Sequence, residues 1–266
     1  MIQKLRELLK YRQLLVTLVS RELKARYRGT VLGFFWSFFN PFLLMVVYSV
    51  VFGVIVGGAR VTGFADNKLF YSIFLFNGIL PWTWFSSSLL ESANVLMVNG
   101  PLIKKIKFPI EVLPIVVVTT NMIHFIFGLP VLLLFFLLFG RPITWWILFL
   151  PVSIAVQYLF TLGICFLISA LTVHFKDIKD ILANLITLWF FATPIIYTYD
   201  SVPKALKFVL ALNPMTHVIE SYHYSLFLGS LPHWKRLGVT VVVGIGCFWL
   251  GYLIFDKLRD TFVEEV

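Results

Sequence analysis

Long stretches without a charged residue dominate the pattern of hydrophobic and polar positions along this 266-residue chain. A helix needs about 20 apolar residues to cross the hydrocarbon layer of a membrane, because it rises only about 1.5 Å per residue. Six stretches approach or exceed this length, so the sequence predicts an all-α, polytopic membrane domain over residues 29–266 with six transmembrane helices. Their expected positions are about 31–57, 69–90, 112–139, 143–173, 181–199 and 237–255.

The segment between the fifth and sixth stretches has a different pattern. It contains two apolar runs that are each too short to cross a bilayer. Asn213 followed by Pro214 is typical of a helix start and Gly229 of a helix end, so two short helices are predicted at about 203–212 and 214–228. We interpret the pair as a re-entrant hairpin, and the alternative is a loop that lies flat on the membrane surface.

The first 28 residues place leucine and valine at helical spacing among lysine and arginine, which predicts an amphipathic helix on the membrane surface over 1–28. A signal peptide is the alternative, but no small-residue cleavage pattern follows the short apolar run. Eight cationic residues precede the first span and two follow it, which places the N-terminus in the cytoplasm. Six crossings return the C-terminus to the cytoplasm, although the later loops carry cations evenly on both sides.

The overall composition excludes a water-soluble domain, since 59% of the residues are hydrophobic, 13% are charged and the mean hydropathy is +0.91. The formal net charge of +9 is compatible with nucleic acid, with anionic lipid or with simple membrane orientation. The cations lie at the N-terminus and between the apolar stretches. We therefore interpret the charge as orientation, and expect a membrane and no nucleic acid as partner.

The chain lacks the motifs of several enzyme classes. It has no Gly-x-x-x-x-Gly-Lys loop for nucleotide phosphates and no His-Glu-x-x-His motif, and its six apolar stretches contain no acidic residue. Glu220 lies between His217 and His223, but the two histidines point to different faces of a helix, so no metal site is predicted. We expect a chain that is not an enzyme and binds no cofactor.

Aromatic residues are unusually frequent, at 17% of the chain, and are concentrated in the first and fifth apolar stretches. Their flat apolar faces could line a path for sugars. The alternative is an aromatic belt at the level of the lipid headgroups. The candidates for the path are Phe35, Trp36, Phe39, Tyr48, Trp189, Phe190 and Tyr197.

Two segments carry a resemblance to a known family: RELKARYRGTVLGFFWSFFNPF at 21–42 and NGPLIKKIKFP at 99–109. They resemble the permease subunits of ABC transporters that export polysaccharides such as O-antigen or teichoic acid, and the resemblance covers essentially the whole chain. It implies a homodimer in the bacterial inner (plasma) membrane that works with two ATP-binding cassette subunits. ATP and Mg²⁺ would be bound by those partners, and the system would serve lipopolysaccharide biosynthesis.

The resemblance also implies roles for particular residues. The loop 94–109 would couple the permease to the ATPase, and the hairpin within 203–234 would be an extracytoplasmic gate. The implied cargo is a polyprenyl-diphosphate-linked glycan, whose diphosphate the basic residues before the first span would meet. General attraction of those residues to anionic lipid is the alternative. The implied residues are Asn99, Leu102, Ile103, Lys104 and Lys105 for coupling, Asn213, Pro214 and Glu220 for the gate, and Arg21, Lys24, Arg26 and Arg28 for the diphosphate.

Other functions compatible with the sequence fall into two groups. Within the same superfamily, the alternatives are a permease for drugs or lipids and a teichoic-acid rather than an O-antigen exporter. From different classes, a membrane-embedded glycan-processing enzyme or an ion-coupled transporter would need charged groups inside the spans, and the six stretches contain none.

Overall fold

The computed structural model describes residues 11–55, 68–105, 108–140, 142–175 and 177–265, and every regular element in these ranges is helical. The α-helices are α1 (Arg12–Tyr27), α2 (Trp36–Tyr48), α3 (Lys68–Val98), α4 (Gly100–Lys105), α5 (Val112–Leu138), α6 (Leu150–His174), α7 (Ile178–Phe191), α8 (Lys204–Leu212), α9 (Pro214–Tyr222), α10 (Trp234–Leu258) and α11 (Phe262–Glu265). Shorter 3₁₀ turns at Gly33–Phe35, Trp145–Phe149, Tyr199–Ser201 and Arg259–Thr261, and π-helical turns at Ser49–Ile55 and His223–Leu228, adjoin them. The predicted all-α class is confirmed.

Within the described ranges, four helical segments are long and apolar enough to cross a membrane: Phe70–Val98, Val112–Leu138, Trp145–His174 and Trp234–Thr261. A shorter apolar helix covers Trp36–Phe52. The fifth predicted span is therefore shorter as a helix than the sequence suggested, whereas the end of the first lies outside the described residues. Six crossings stay a prediction.

Two helix bounds differ from the predicted spans for identifiable reasons. The fifth stretch was predicted to extend to 199, but α7 ends at Phe191. Pro194 disfavours helical backbone in the residue before it, and the Asn213 side chain donates a hydrogen bond to the carbonyl oxygen of Ala192. The second stretch was predicted to end at 90, yet α3 continues to Val98. The helix can include the charged Glu91 because Arg26 pairs with that carboxylate.

The two short helices predicted between the fifth and sixth stretches are confirmed as α8 and α9. Asn213 caps α9, since its side-chain oxygen accepts a hydrogen bond from the backbone N–H of Met215 at 3.0 Å. After the π-helical turn, Gly229 adopts the left-handed conformation, with φ of +60°, that ends the helix. How this hairpin lies in the membrane stays a prediction.

The central helix of the bundle is α3, which packs against α2, α5, α6, α7 and α9. The closest helix pair is α6 with α10. Gly163 and Gly251 face each other there, and a Cβ atom at Gly251 would collide with the carbonyl oxygen of Gly163. Only glycine allows the two backbones to approach so closely.

One end of the bundle gathers α1, α4 and the C-terminal residues. Arg21 Nη2 donates to Asn99 Oδ1 at 3.5 Å, which joins the N-terminal helix to the junction of α3 and α4. α11 packs against both α4 and α6, and Thr261 Oγ1 is hydrogen-bonded to His174 Nε2 at 3.2 Å. The N-terminal helix and the C-terminus therefore lie at the same end.

The opposite end contains the hairpin and the start of α6. The turn Trp145–Phe149 packs against the π-helical turn His223–Leu228, and Gly229 lies against Thr144. α8 follows α7 at this end, so α7 runs from the end that holds α4 to the end that holds the hairpin. Two cavities lie among the helices between these ends.

Candidate functional site

A cavity of about 360 Å³ lies between α1, α2, α3 and α5. Its wall is polar for a cavity among apolar helices, because each of the four segments contributes hydrogen-bonding side chains. Those residues are Arg26, Tyr27, Thr30, Ser37, Asn40, Thr83, Ser87, Asn121 and His124. Trp36 and Trp84 add aromatic rings. We call this space the polar cavity.

A second cavity of about 560 Å³ adjoins the first and is lined by α2, the following π-helical turn, α3 and α7. Leu44 of α2 and Ile79 and Thr83 of α3 line both, so the two spaces are neighbours that share a wall. The second wall is mainly aliphatic and aromatic, and we call it the apolar cavity. Its chemistry suits a hydrocarbon or aromatic surface.

Three of the seven predicted aromatic residues line these cavities. Trp36 lines the polar cavity, whereas Tyr48 and Phe190 line the apolar one with their ring centroids 6.4 Å apart. Phe35 and Phe39 are exposed on the surface of the single chain, with 72% and 39% of their surface accessible. The predicted aromatic residues therefore fall into some that line a cavity and others that do not.

The other two predicted aromatics contact the segment after α7. Trp189 Nε1 donates to Asn213 Oδ1 at 2.8 Å, and its ring packs edge-on against Phe85. Tyr197 donates its hydroxyl hydrogen to the carbonyl oxygen of Phe191 at 2.9 Å. Both rings therefore have a structural role in holding the end of α7.

The four predicted cations of the N-terminal helix are in different environments. Arg26 forms an ion pair with Glu91 at 2.6 Å, and its other terminal nitrogen donates to Asn121 at 3.3 Å. Arg21 reaches Asn99 more weakly. Lys24 and Arg28 are exposed. Arg26 is therefore largely neutralised within the chain, while the last two are open to an external anion.

A network of hydrogen-bonded polar side chains connects α1 to α3 and α5. Asn121, which is almost fully buried, donates to the second carboxylate oxygen of Glu91 at 2.9 Å. One turn further along α5, His124 Nδ1 is hydrogen-bonded to the Tyr27 hydroxyl at 3.1 Å. Sequence reasoning missed Glu91 and Asn121 as partners of Arg26. The sequence did offer a signal for Glu91, because it is a single acidic residue at the end of an apolar stretch in a chain whose first 28 residues carry eight cations.

The predicted coupling segment is only partly a loop. Residues 94–98 complete α3, and Asn99 leads into α4, whose first turn closes as the Asn99 carbonyl accepts from Leu102 N and Ile103 N. Residues 106 and 107 lie outside the described residues. Ile103 is buried in the main core, whereas Lys104 and Lys105 are exposed. α4 is thus attached to the core by Ile103 and has a basic outer surface formed by Lys104 and Lys105.

The C-terminal segment packs against the start of α5 and the end of α10. Glu111, just before α5, is 5% exposed in its side chain and accepts from Arg259 Nη1 at 3.1 Å. Phe262 is fully buried and packs edge-on against Phe255. α11 also packs against α4 and α6.

At the opposite end, Glu220 of α9 pairs with Arg236 of α10 at 2.7 Å. The Arg236 guanidinium also lies 4.6 Å from the ring centroid of Tyr199. Burial raises the pKa of the Glu220 carboxyl, and the hydrogen bond from Arg236 opposes that rise. His217 and His223 are each hydrogen-bonded to a backbone carbonyl, of Ala211 and Phe74 respectively, so they do not converge on one site.

Comparison with known proteins identifies the family. The family model described as ABC-2 type transporter matches residues 13–227, which is most of the chain. The chain belongs to the ABC-2 type transporter family. It is therefore a membrane transport protein, in agreement with its apolar helices.

The relatives of this ABC-2 transporter chain include proteins named for O-antigen export and for polysialic acid transport. It is 39% identical to the O-antigen export system permease protein RfbA of Myxococcus xanthus over the full length of both chains. It is 32% identical to an O-antigen export system permease protein RfbA of Klebsiella pneumoniae over 94% of each chain. It is 21% identical to the polysialic acid transport protein KpsM of Escherichia coli, over 93% of this chain.

The matched region of the ABC-2 transporter chain contains both cavities, α4 and the hairpin, but ends before α10. The relative from Myxococcus xanthus extends the likeness to the C-terminus. The arrangement of cavities between the N-terminal helix and α7 therefore lies within the part that defines the family.

Proposed function

We propose that this chain is the permease subunit of an ATP-driven exporter that moves an O-antigen-like polysaccharide, linked to polyprenyl diphosphate, out of the cytoplasm across the bacterial inner membrane. The observation that carries the proposal is the full-length likeness to a permease named for O-antigen export. The neighbouring polar and apolar cavities support it, because a lipid-linked glycan has both a hydroxyl-rich and a hydrocarbon part.

The proposed topology has six crossings, with both termini in the cytoplasm. In the described residues, α2 with its π-helical turn, α3, α5, α6, α7 and α10 run alternately between the two ends of the bundle. The balance of cations supports the orientation. Among the described residues, the end with α4 holds Arg12, Arg21, Lys24, Arg26, Arg28, Lys104, Lys105, Lys179, Lys257 and Arg259, whereas the opposite end holds Lys68, Lys204, Lys207, Lys235 and Arg236.

The proposed energy source is a pair of ATP-binding cassette subunits that bind ATP and Mg²⁺ and dock on two copies of this chain. α4 is the proposed contact, since Ile103 ties it to the core while Lys104 and Lys105 point outward. A displacement of α4 would reach the core directly through Ile103. The hairpin with the Glu220–Arg236 pair is the proposed extracytoplasmic gate.

The basic residues proposed to contact the lipid-linked cargo are those that are exposed and not paired within the chain. Lys24 and Arg28 are exposed at the cytoplasmic end and are available to a diphosphate. Arg26 instead holds α1 against α3 and α5. Trp36, Tyr48 and Phe190 are the aromatic residues proposed to contact the cargo, because they line the cavities.

Complementation tests the proposed function. The chain and its ATPase partner would be expressed in a bacterium that lacks its own O-antigen exporter but makes the lipid-linked O-antigen. We expect O-antigen at the cell surface, measured by antibody binding to intact cells. Absence of surface O-antigen, with both proteins present in the membrane, would contradict the proposal.

A charge-reversal variant tests the role of α4. Lys104→Glu with Lys105→Glu should abolish export and weaken co-purification of the ATPase by about tenfold or more, because two cationic contacts become repulsive. Lys179→Glu is the matched control, since it is an exposed lysine at the same end but outside α4. Equal loss in the control, or unchanged co-purification in the α4 variant, would contradict the docking role.

A further inference from the structure

The polar cavity contains hydrogen-bonding groups that the protein leaves without a partner. Within the described part of the chain, Ser37 Oγ and His124 Nε2 are buried and have no hydrogen-bond partner, and both residues line this cavity. Ser37 is only 3% exposed. Burying such atoms without a partner costs free energy, so a ligand that supplies the missing hydrogen bonds would be favoured.

The charge of the wall argues against an anionic ligand. Arg26 is the only arginine, lysine or acidic residue among the lining residues, and Glu91 already pairs with it at 2.6 Å. The same guanidinium also donates to Asn121. An anion would have to displace Glu91, whereas a neutral ligand could use the hydroxyl, amide and imidazole groups as they stand.

The remaining wall adds flat apolar faces to these polar groups. Trp36 and Trp84 line the cavity, and the indole N–H of Trp84 already donates to the carbonyl oxygen of Val118 at 3.1 Å. Trp84 is therefore satisfied within the chain, and Trp36, which is only partly buried, is the ring available to a ligand. Hydroxyl and amide groups beside aromatic faces match a sugar ring, which has hydroxyls around its edge and apolar C–H faces.

We propose that the polar cavity is a binding site for one neutral sugar unit within a single permease chain. The inference rests on the proposed function and deepens it, by assigning the cavity to a neutral sugar of the cargo rather than to its diphosphate. A volume of about 360 Å³ is at the lower end of the range typical of small-ligand pockets, about 300 to 1,000 Å³. The apolar cavity lies beside this site and offers a hydrocarbon-compatible space next to it.

Two neighbouring serines on α3 provide a matched test. Ser87 lines only the polar cavity and Ser86 only the apolar one, and both are half-buried. The purified full-length chain in lipid nanodiscs would be titrated with the lipid-free O-antigen oligosaccharide of its native strain, with tryptophan fluorescence and calorimetry as readouts. Ser87→Leu should weaken binding about tenfold or more by filling the cavity, and Ser86→Leu should leave it unchanged.

A milder variant removes one polar atom without adding bulk. Ser37→Ala should weaken binding of the same oligosaccharide by about threefold to tenfold, the usual effect of one lost hydrogen bond. Inorganic phosphate should not compete. No binding to the unmodified chain, equal binding by Ser87→Leu, or competition by phosphate would overturn the assignment.

A second preparation distinguishes the sugar of the cargo from the sugar of another membrane glycolipid. The chain purified from a strain that makes no O-antigen should carry no glycolipid in native mass spectrometry. A membrane glycolipid retained there by the unmodified chain and lost in Ser87→Leu would overturn the assignment to cargo. If O-antigen is exported in the complementation experiment but binding is unaffected by Ser87→Leu, this inference fails while the proposed function stands.

Discussion

Arg26 and Glu91 illustrate how a residue's partner changes its function. As one of several cations before the first apolar stretch, Arg26 is a candidate for a phosphate ligand. In the folded chain its guanidinium bonds Glu91 of α3 and Asn121 of α5, so it holds three helices together. Both charged side chains are about one-third exposed, which limits the strength of the pair.

The Glu91 pair gives a prediction about stability. Glu91→Gln should lower the unfolding free energy by about 1 kcal/mol, because the shape is kept but the charge that pairs with Arg26 is lost. That loss corresponds to a fall of about 2 to 4 °C in Tm, measured by thermal unfolding in detergent. Asp200→Asn is the control: its pair with Lys207 is 3.4 Å long and Asp200 is 90% exposed, so Tm should hardly change. A fall in Tm of equal size for both variants would contradict this account.

The Glu111–Arg259 pair predicts a different pattern, since Glu111 is almost completely buried. Arg259→Ala should destabilise the chain by about 1 to 3 kcal/mol by leaving a buried carboxylate without its counter-ion. The double variant Glu111→Gln with Arg259→Ala should be less destabilised than Arg259→Ala alone. Denaturant unfolding of the unmodified chain, of the single variants Glu111→Gln and Arg259→Ala and of the double variant measures this coupling, and purely additive effects would contradict it.

At the scale of elements, the pair α6 and α10 depends on glycine. Gly163 lies against the backbone of residues 247 and 248, and Gly251 against the backbone of Gly163. Neither neighbour is the end of a flexible side chain, so an added methyl group cannot be accommodated by a rotamer change.

This contact predicts opposite outcomes for two glycines of α10. Gly251→Ala should destabilise the protein by about 1 to 3 kcal/mol or more, because the helices must separate. Gly246→Ala, which faces open space, should be neutral or slightly stabilising, because alanine favours helix. Thermal unfolding and the yield of monodisperse protein distinguish them. Equal behaviour of the two variants would refute the close-contact explanation.

Hydrophobic patterning predicted the elements well where the local sequence decides their limits. Asn213, Pro214 and Gly229 bound the second hairpin helix in both prediction and structure, because a cap, a fixed φ and a left-handed residue are local signals. The end of α3 was misjudged because Glu91 looked like a boundary. Its partner Arg26 is 65 residues away in sequence, and pattern analysis does not reveal such a distant contact.

The candidate site was predictable only in part for the same reason. Trp36, Tyr48 and Phe190 were identified because aromatic residues are conspicuous in sequence. Ser37 and Asn121 were not, since single polar residues in apolar stretches usually make ordinary packing contacts. Their significance comes from tertiary packing, which brings α2, α3 and α5 around one space.

For the whole molecule, the common position of α1, α4 and α11 predicts which residues face the cytoplasm. In a chain with its own cysteines replaced, Lys204→Cys should react with a membrane-impermeant maleimide added to spheroplasts, and Lys105→Cys should not. Both positions are exposed in the folded chain, so the membrane alone should determine the difference. Labelling of Lys105→Cys in intact spheroplasts would reverse the proposed orientation. Permeabilised spheroplasts, in which both variants should react, are the control.

The glycine contact between α6 and α10 has a consequence for motion. Two helices joined backbone to backbone cannot slide or rotate against each other without a clash, so this pair should remain a fixed frame during a transport cycle. The elements beside the cavities have no comparable glycine contact among the described residues, and α2 runs directly into a π-helical turn, a geometry often found at functional positions. Rearrangement should therefore be concentrated in α2 and α7, which would shift against a stationary half of the bundle.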